Sequence, residues 1–305
     1  AAAPAPLERA EQESVLESLL GLLRAVLGCD AALEDELARR RGGDGEPGGG
    51  SEEGDLAPTE SFLLELMAVA PLDVLRWRVE TLHHRIRFPL EVASLSGQLQ
   101  SGIDATRGIV DSAAFPVLLE GVLVMGNYVN AGSTRLGKAL AVTLDSLEKL
   151  AHTKARSGVQ ARGGSRGGTA LGLLVAQLAG AHGQPWRTAL AADLHRCFAA
   201  RDCDPPALRE AVQGLSGQLE AVRARLQGAP DPAAAAGEPP LLRARALAAF
   251  AEDGEAQVAR LHTLVEELTA AAARLRAYFA EPGARPLPQM LQSLAALAEA
   301  LPPAE

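Results

Sequence analysis

Residues 132–138, running Gly132-Ser133-Thr134-Arg135-Leu136-Gly137-Lys138, have the spacing of a phosphate-cradling loop, in which backbone N–H groups wrap a phosphate and the lysine reaches its oxygens. Ala139 follows where such a loop needs a hydroxyl for magnesium, and no strand precedes it, so the stretch reads as a loop between helices. His195, Cys197 and Cys203 offer three zinc-type ligands, but their spacing matches no standard module and no fourth ligand lies near. The expectation is a helix surface with two incidental thiols. His83 and His84 are adjacent and so point to different faces of a helix, which places them at the solvent or at a rim. No nucleophile elbow, His-Glu-x-x-His pair or cysteine with a supporting His occurs, and the many carboxylates sit among Arg residues on amphipathic helices. The chain is therefore expected not to be an enzyme and to need no cofactor or metal.

Gly126-Asn127-Tyr128-Val129-Asn130 is a different kind of candidate. An apolar helix ending in Gly, followed by two amides and a phenol that cannot all be satisfied inside a helix, is suited to receive another chain. An ordinary helix cap and turn has the same spacing. A basic run from Lys154 through Arg156, Arg162 and Arg166 has the composition of some nucleic-acid segments, but it lacks interleaved aromatics. The whole chain carries a net charge of -9 over 305 residues, so neither nucleic acid nor an acidic membrane is an expected partner. A basic loop facing an acidic protein partner fits better.

The elements that must position these residues read as helices throughout. Hydrophobic residues make up 48% and aromatics 3%, dominated by Ala, Leu and Val, which favours helices over a sandwich or barrel. Helical spacing runs over Glu8 to Arg40, and a Gly-rich acidic linker follows from Arg39 to Gly54. A helix capped by Thr59 runs to the Pro71 break. Further helices are predicted over Leu72 to Arg87, stopping before Pro89, then Leu90 to Asp111 and Phe115 to Met125. Val142, Leu144, Leu147 and Leu150 mark a short helix, and Ala155 to Gly168 a loop.

Leu208, Val212, Leu215, Leu219, Val222 and Leu226 then alternate by 4 and 3 residues, the seam of a heptad repeat. After a Pro/Ala-rich break from Gly228 to Pro240, Val258, Leu261, Val265, Leu268, Ala272, Leu275 and Phe279 repeat the pattern. The two helices are expected to pack antiparallel. A last helix covers about Pro288 to Leu301. Three sparse cysteines point to a reducing compartment, and no run of about 18 apolar residues is present. The chain reads as soluble and intracellular, without membrane insertion, and its start without Met reads as an excised segment.

The residues from Leu119 to Ser133, then Gly137-Lys138-Ala139 and Leu144 to Lys154, together resemble the signature of the formin homology 2 domain. Gly54-Asp55, Glu60 to Leu66, Arg87-Phe88-Pro89, the two heptad helices and Ala277 to Pro282 occur in that family's order. The resemblance implies an all-α, elongated helical domain with a knob, a coiled-coil arm and a post. Residues 1–41 would be an N-terminal helical segment forming part of the knob and 42–58 a flexible linker. Residues 59–305 would be the helical body, with the post at about 90–200 and the arm at about 205–280.

It further implies a cytoplasmic, cytoskeletal protein that binds actin, nucleates filaments and stays at the growing barbed end as a dimer. Gly126, Asn127, Tyr128 and Asn130 would line the pocket for the partner subunit's N-terminal lasso. Lys149, Lys154 and Arg156 would face actin. The family's lasso carries Trp residues, and here the only ones are Trp77 and Trp186, so no lasso is expected in this chain and a monomer or weak dimer is. The knob's actin-contacting Ile has no counterpart before Ile86, and Ala141-Val142 replaces an expected Gly-Phe. A helical scaffold or adaptor that kept this architecture without productive actin assembly is the alternative.

Overall fold

The computed structural model describes residues 72–133, 137–154, 169–227, 244–279 and 285–301, together with 14, 15, 17, 18 and 21. The N-terminal helical segment, the linker at 42–58, the helix after Thr59 and the loop at 155–168 otherwise lie outside the described residues. Ser14, Val15, Glu17, Ser18 and Gly21 are helical. Eight helices follow among the described residues: α1 (Leu72–Val110), α2 (Phe115–Val129), α3 (Leu144–His152), α4 (Ala170–His182), α5 (Gln184–Ala199), α6 (Pro205–Gln227), α7 (Ala244–Tyr278) and α8 (Leu287–Ala300). The described residues contain no strand, only an isolated bridge between Lys154 and Thr169. The chain is thus all-α. No single described helix is long and apolar enough to cross a membrane.

The residues form two compact units. One comprises Ala1–Glu91 and Leu215–Ala256, the other Val92–Gly214 and Gln257–Glu305. In the first, Phe88, Leu215, Leu219, Val222, Leu247 and Ala251 are buried. Trp77, Leu82 and Leu226 pack against Val222 and Leu247. Phe88 and Phe250 meet edge to face at 5.3 Å, and His84 stands edge-on to both at 5.4 and 5.7 Å. A Cβ on Gly254 would lie 2.9 Å from Leu219 and 3.2 Å from Phe88, so this glycine lets α7 approach closely. Arg223 bonds Glu255 at 2.8 Å across α6 and α7, and Arg85 donates to the Ala246 carbonyl at 3.4 Å.

Sequence reasoning ends a helix before Pro89, whereas α1 runs through it as one 39-residue helix. A proline inside a helix costs roughly 3 kcal/mol, through a lost hydrogen bond and a clash with the preceding turn. Burial of a side chain such as Phe88 returns about 1.5–3 kcal/mol, and Leu95 and Leu99 farther along the same helix are buried as well. Tertiary packing on both sides outweighs the local break, while Pro89 itself is exposed.

The second unit holds α2, α3, α4, α5 and α8 beside the adjoining parts of the long helices. Its fully buried side chains include Leu99, Ile103, Phe115, Leu147, Leu194 and Leu291. Helix α8 lies against α5 and α3, and α4 contacts α2, α3 and α5. Arg209 on α6 donates to Thr269 on α7 at 3.1 Å. Between the 223/255 and 209/269 pairs one residue number falls by as much as the other rises, which is the antiparallel pairing expected of the two heptad helices. Helices α4 and α5 carry no clean apolar period. They are set by Thr169, whose hydroxyl accepts from Gly172 N–H at 3.1 Å, and by Trp186, whose indole N–H donates to the Ala114 carbonyl at 3.1 Å.

Candidate interaction site

Helix α2 does not end at Gly126; it continues through Gly126, Asn127 and Tyr128 to Val129, with Asn130 as its cap. The two amides that seemed unsatisfiable in a helix are satisfied by nearby backbone. Asn130 Nδ2 donates to the Gly126 carbonyl at 2.8 Å. Asn127 makes a two-sided pairing with Ala139, its Nδ2 donating to the Ala139 carbonyl at 3.0 Å and its Oδ1 accepting from the Ala139 N–H at 2.8 Å. One side chain thereby ties the returning strand of the turn to the last turn of α2.

Gly137 completes the turn. Its N–H donates to the Ser133 carbonyl at 3.0 Å, and a Cβ there would collide with the carbonyls of Asn130 and Ser133. The motif that resembled a phosphate loop is thus preceded by a helix, and its second glycine serves close backbone approach.

With the amides turned to the backbone, apolar side chains are left outside. Tyr128 is 83% exposed, Val129 74%, Val124 64% and Leu140 94%. A Cβ on Gly126 would meet nothing within 4 Å, so the chain's own packing does not require glycine there. Open space and stranded apolar side chains at the end of a hydrogen-bonded helix are the makings of a contact surface.

The basic candidates come next in the chain. Thr143 caps α3 by accepting from Ser146 N–H at 3.3 Å, and Leu144, Leu147 and Ala151 face the core. Lys149 is exposed on the opposite side. Thr153 closes the helix, its hydroxyl donating to the Lys149 carbonyl at 2.6 Å. Lys154 is exposed and pairs with Thr169 at the base of the basic loop, where Ala170 N–H donates to the Thr153 carbonyl at 2.8 Å. Arg156 lies outside the described residues.

Of the remaining chemical candidates the two thiols lie in the core, whereas His195 is exposed and His83 half-buried. Cys197 and Cys203 are buried rather than surface thiols. Burial, with Asp193 adding to it, pushes the Cys197 thiol up to about 12, and burial with Asp204 pushes Cys203 up to about 11. Both stay protonated at neutral pH and are poor ligands or nucleophiles. The Cys203 sulfur sits where a Cβ on Gly102 would be, so it fills the gap against α1.

His195 stacks on Phe198 at 6.3 Å, and among the described residues no three His, Cys, Asp or Glu converge to hold a metal. His84 is half-buried and lines the same cleft as His83, so it does lie at a rim, with one side against the aromatic rings. Burial first, and the neighbouring His83 second, lower it to about 4, so it is a neutral ring in the aromatic knot. His83 borders a cleft of about 340 Å3 with Trp77, Arg87 and Glu91. Glu17 reaches into this unit, 3.0 Å from Arg87 and 3.7 Å from His83.

The chain belongs to the Formin Homology 2 Domain family, whose model matches residues 36–301. It is 28% identical over 257 residues to Formin-like protein 14 of Arabidopsis thaliana, a match covering 84% of this chain and 19% of that protein. Formin-like protein 3 of Oryza sativa subsp. japonica is 29% identical over 230 residues, 75% of this chain and 17% of that protein. Formin-F of Dictyostelium discoideum is 34% identical over 99 residues, 32% of this chain and 8% of that protein. The chain therefore spans less than a fifth of the length of these relatives.

Proposed function

We propose that this chain is the actin-binding part of a formin, which promotes filament assembly by nucleating filaments, by staying at the barbed end during elongation, or both. Membership of the Formin Homology 2 Domain family supports an actin-associated role in the cytoplasm at the cytoskeleton. The observation that carries the reading further is the stapled turn at the end of α2, where Asn127 holds Ala139 and leaves Tyr128, Val129 and Leu140 in solvent. An apolar surface on a rigid turn suits a segment of a second copy of the protein, the lasso of a dimer, with Gly126 leaving room for it. Lys149, Lys154 and Arg156 then supply local positive charge toward actin, an acidic protein, on a chain of net charge -9. Such a module works by positioning surfaces, with no bond made or broken.

The test is elongation of pyrene-labelled actin from preformed seeds, with this chain and with a version extended upstream. The expected result is slowed or protected barbed-end growth with the extended form, and a weaker effect or none with the shorter one. If neither form changes barbed-end growth, the actin reading falls and a helical adaptor with another partner takes its place.

A further inference from the structure

Arg285 precedes α8, with its side chain 19% exposed, and it makes an unusual number of directed contacts. Its Nη1 lies 2.9 Å from Asp145 Oδ1, and its Nη2 lies 3.3 Å from Glu148 Oε1 and 2.9 Å from Ser293 Oγ. The Ser293 hydroxyl donates to the Gln289 carbonyl at 2.9 Å, and the Arg285 carbonyl accepts from Arg276 Nε at 3.1 Å. One guanidinium therefore joins α3 to α8, and the backbone of Arg285 is held from α7.

One of the two carboxylates it takes, Asp145, is the helix-face neighbour of Lys149. Asp145 stands four residues before Lys149 on the same helix, the arrangement in which an acid and a lysine pair most readily. Among the described residues, Lys149 forms no ion pair, and it is exposed. Asp145 is turned to Arg285 instead. The stronger and more directional guanidinium partner wins the carboxylate because it is half-sheltered and offers several N–H donors at once, while Lys149 stands in water.

We propose that Arg285 is a positioning residue that withdraws Asp145 from Lys149 and so keeps that lysine available to an acidic partner surface. The proposal rests on the reading that Lys149 meets actin. Arg285 itself touches no partner in this account; it acts by removing the internal competitor. Its bonds to Asp145 and Glu148 on α3 and to Ser293 on α8 also brace the helix that carries Lys149.

The experiment is cosedimentation of this chain with actin filaments at low and moderate salt, with circular dichroism on every variant. Arg285→Ala is expected to weaken binding roughly two- to fivefold, the size of one exposed lysine being recaptured by Asp145. Adding Asp145→Asn and Glu148→Gln to Arg285→Ala is expected to bring binding back to within about twofold of the original, since no competitor remains. A merely structural clamp predicts the opposite, because the triple variant still lacks every bond of the clamp; equal weakness of the two variants overturns the proposal. Wild-type binding by Arg285→Ala overturns it too.

If Arg285→Ala does not fold, Arg285→Gln keeps a donor for Ser293 and loses the charge, and the same comparison is made on that background. Lys149→Asp separates the two readings. Unchanged binding by that variant removes Lys149 from the site and takes the proposal with it. Weakened binding there with unchanged Arg285→Ala removes only the role of Arg285.

Discussion

The last turn of α2 and the aromatic knot around Phe88 handle the same residue types in opposite ways. At Gly126 to Asn130 the amides turn to backbone and the aromatic side chain goes to water, with Tyr128 83% exposed. Around Phe88 the aromatic rings close on one another, Phe88 is 1% exposed, and even an imidazole is drawn in and held neutral. What separates the two is the backbone within reach. At the end of α2 backbone groups are offered to the side-chain amides, Ala139 of the returning chain to Asn127 and Gly126 to Asn130, and the apolar neighbours are left facing out. In the middle of a helix the backbone is paired within the helix, and around Phe88 the face that meets other helices is taken by rings. One region buries its rings against its own chain, the other leaves its apolar side chains in solvent.

Breaking the inward-facing side should show the largest effect. Phe88→Ala is expected to lower unfolding free energy by about 3–5 kcal/mol, read by denaturant titration. A loss under about 1 kcal/mol would mean that this ring does not hold α1 together through Pro89.

The knot should also respond to pH. His84 takes its proton near 6.5 when unfolded but only near 4 when folded. The unfolded chain therefore binds more protons in that window, so stability is full above about 6.5 and falls as pH drops toward 4. Replacing His84 with Leu should flatten the dependence across that window, and an unchanged slope would assign it to other groups.

The turn should show smaller, local effects. Asn127→Ala is expected to cost about 1 kcal/mol and to speed amide exchange at Ala139 while leaving the Phe88 region unchanged. Unchanged exchange at Ala139 would show that the amide pairing does not hold the turn.

The smallest stability effect belongs to Tyr128→Ala, within about 0.5 kcal/mol of the original, because nothing packs on that ring. Its loss should instead appear in barbed-end assays of the extended chain. A large stability loss with no assembly defect would reverse the contrast between the two regions.

The heptad seams were legible in the sequence residue by residue. Val212, Leu215, Leu219 and Val222 of α6, and Val258, Leu261, Val265, Leu268, Ala272, Leu275 and Phe279 of α7, are all buried. The formin homology 2 signature was legible as well, and the family match covers most of the same span. Less legible was what each signature residue does. Asn127 and Asn130 read as unsatisfied groups awaiting a partner, yet both find backbone within their own turn, twelve residues away for Asn127 and four for Asn130. Cys197 and Cys203 read as surface thiols, although Cys197 continues the spacing of Leu190 and Leu194; both are buried, and Cys203 packs against Gly102 of α1. Arg285 had no sequence signal, since its partners at Asp145 and Glu148 lie about 140 residues earlier.

Periodicity, composition and cap residues settled by themselves that this chain is helical, where its heptad helices lie and which of their faces are apolar, because those properties depend on neighbours three and four residues apart. Tertiary structure alone decided that Pro89 stays inside a helix, that the half-buried His84 packs on two phenylalanine rings, and that Asp145 belongs to Arg285 rather than to Lys149. Each of those outcomes is a competition between a local preference of a few kcal/mol or less and contacts made from far along the chain, and local spacing carries no record of the second competitor.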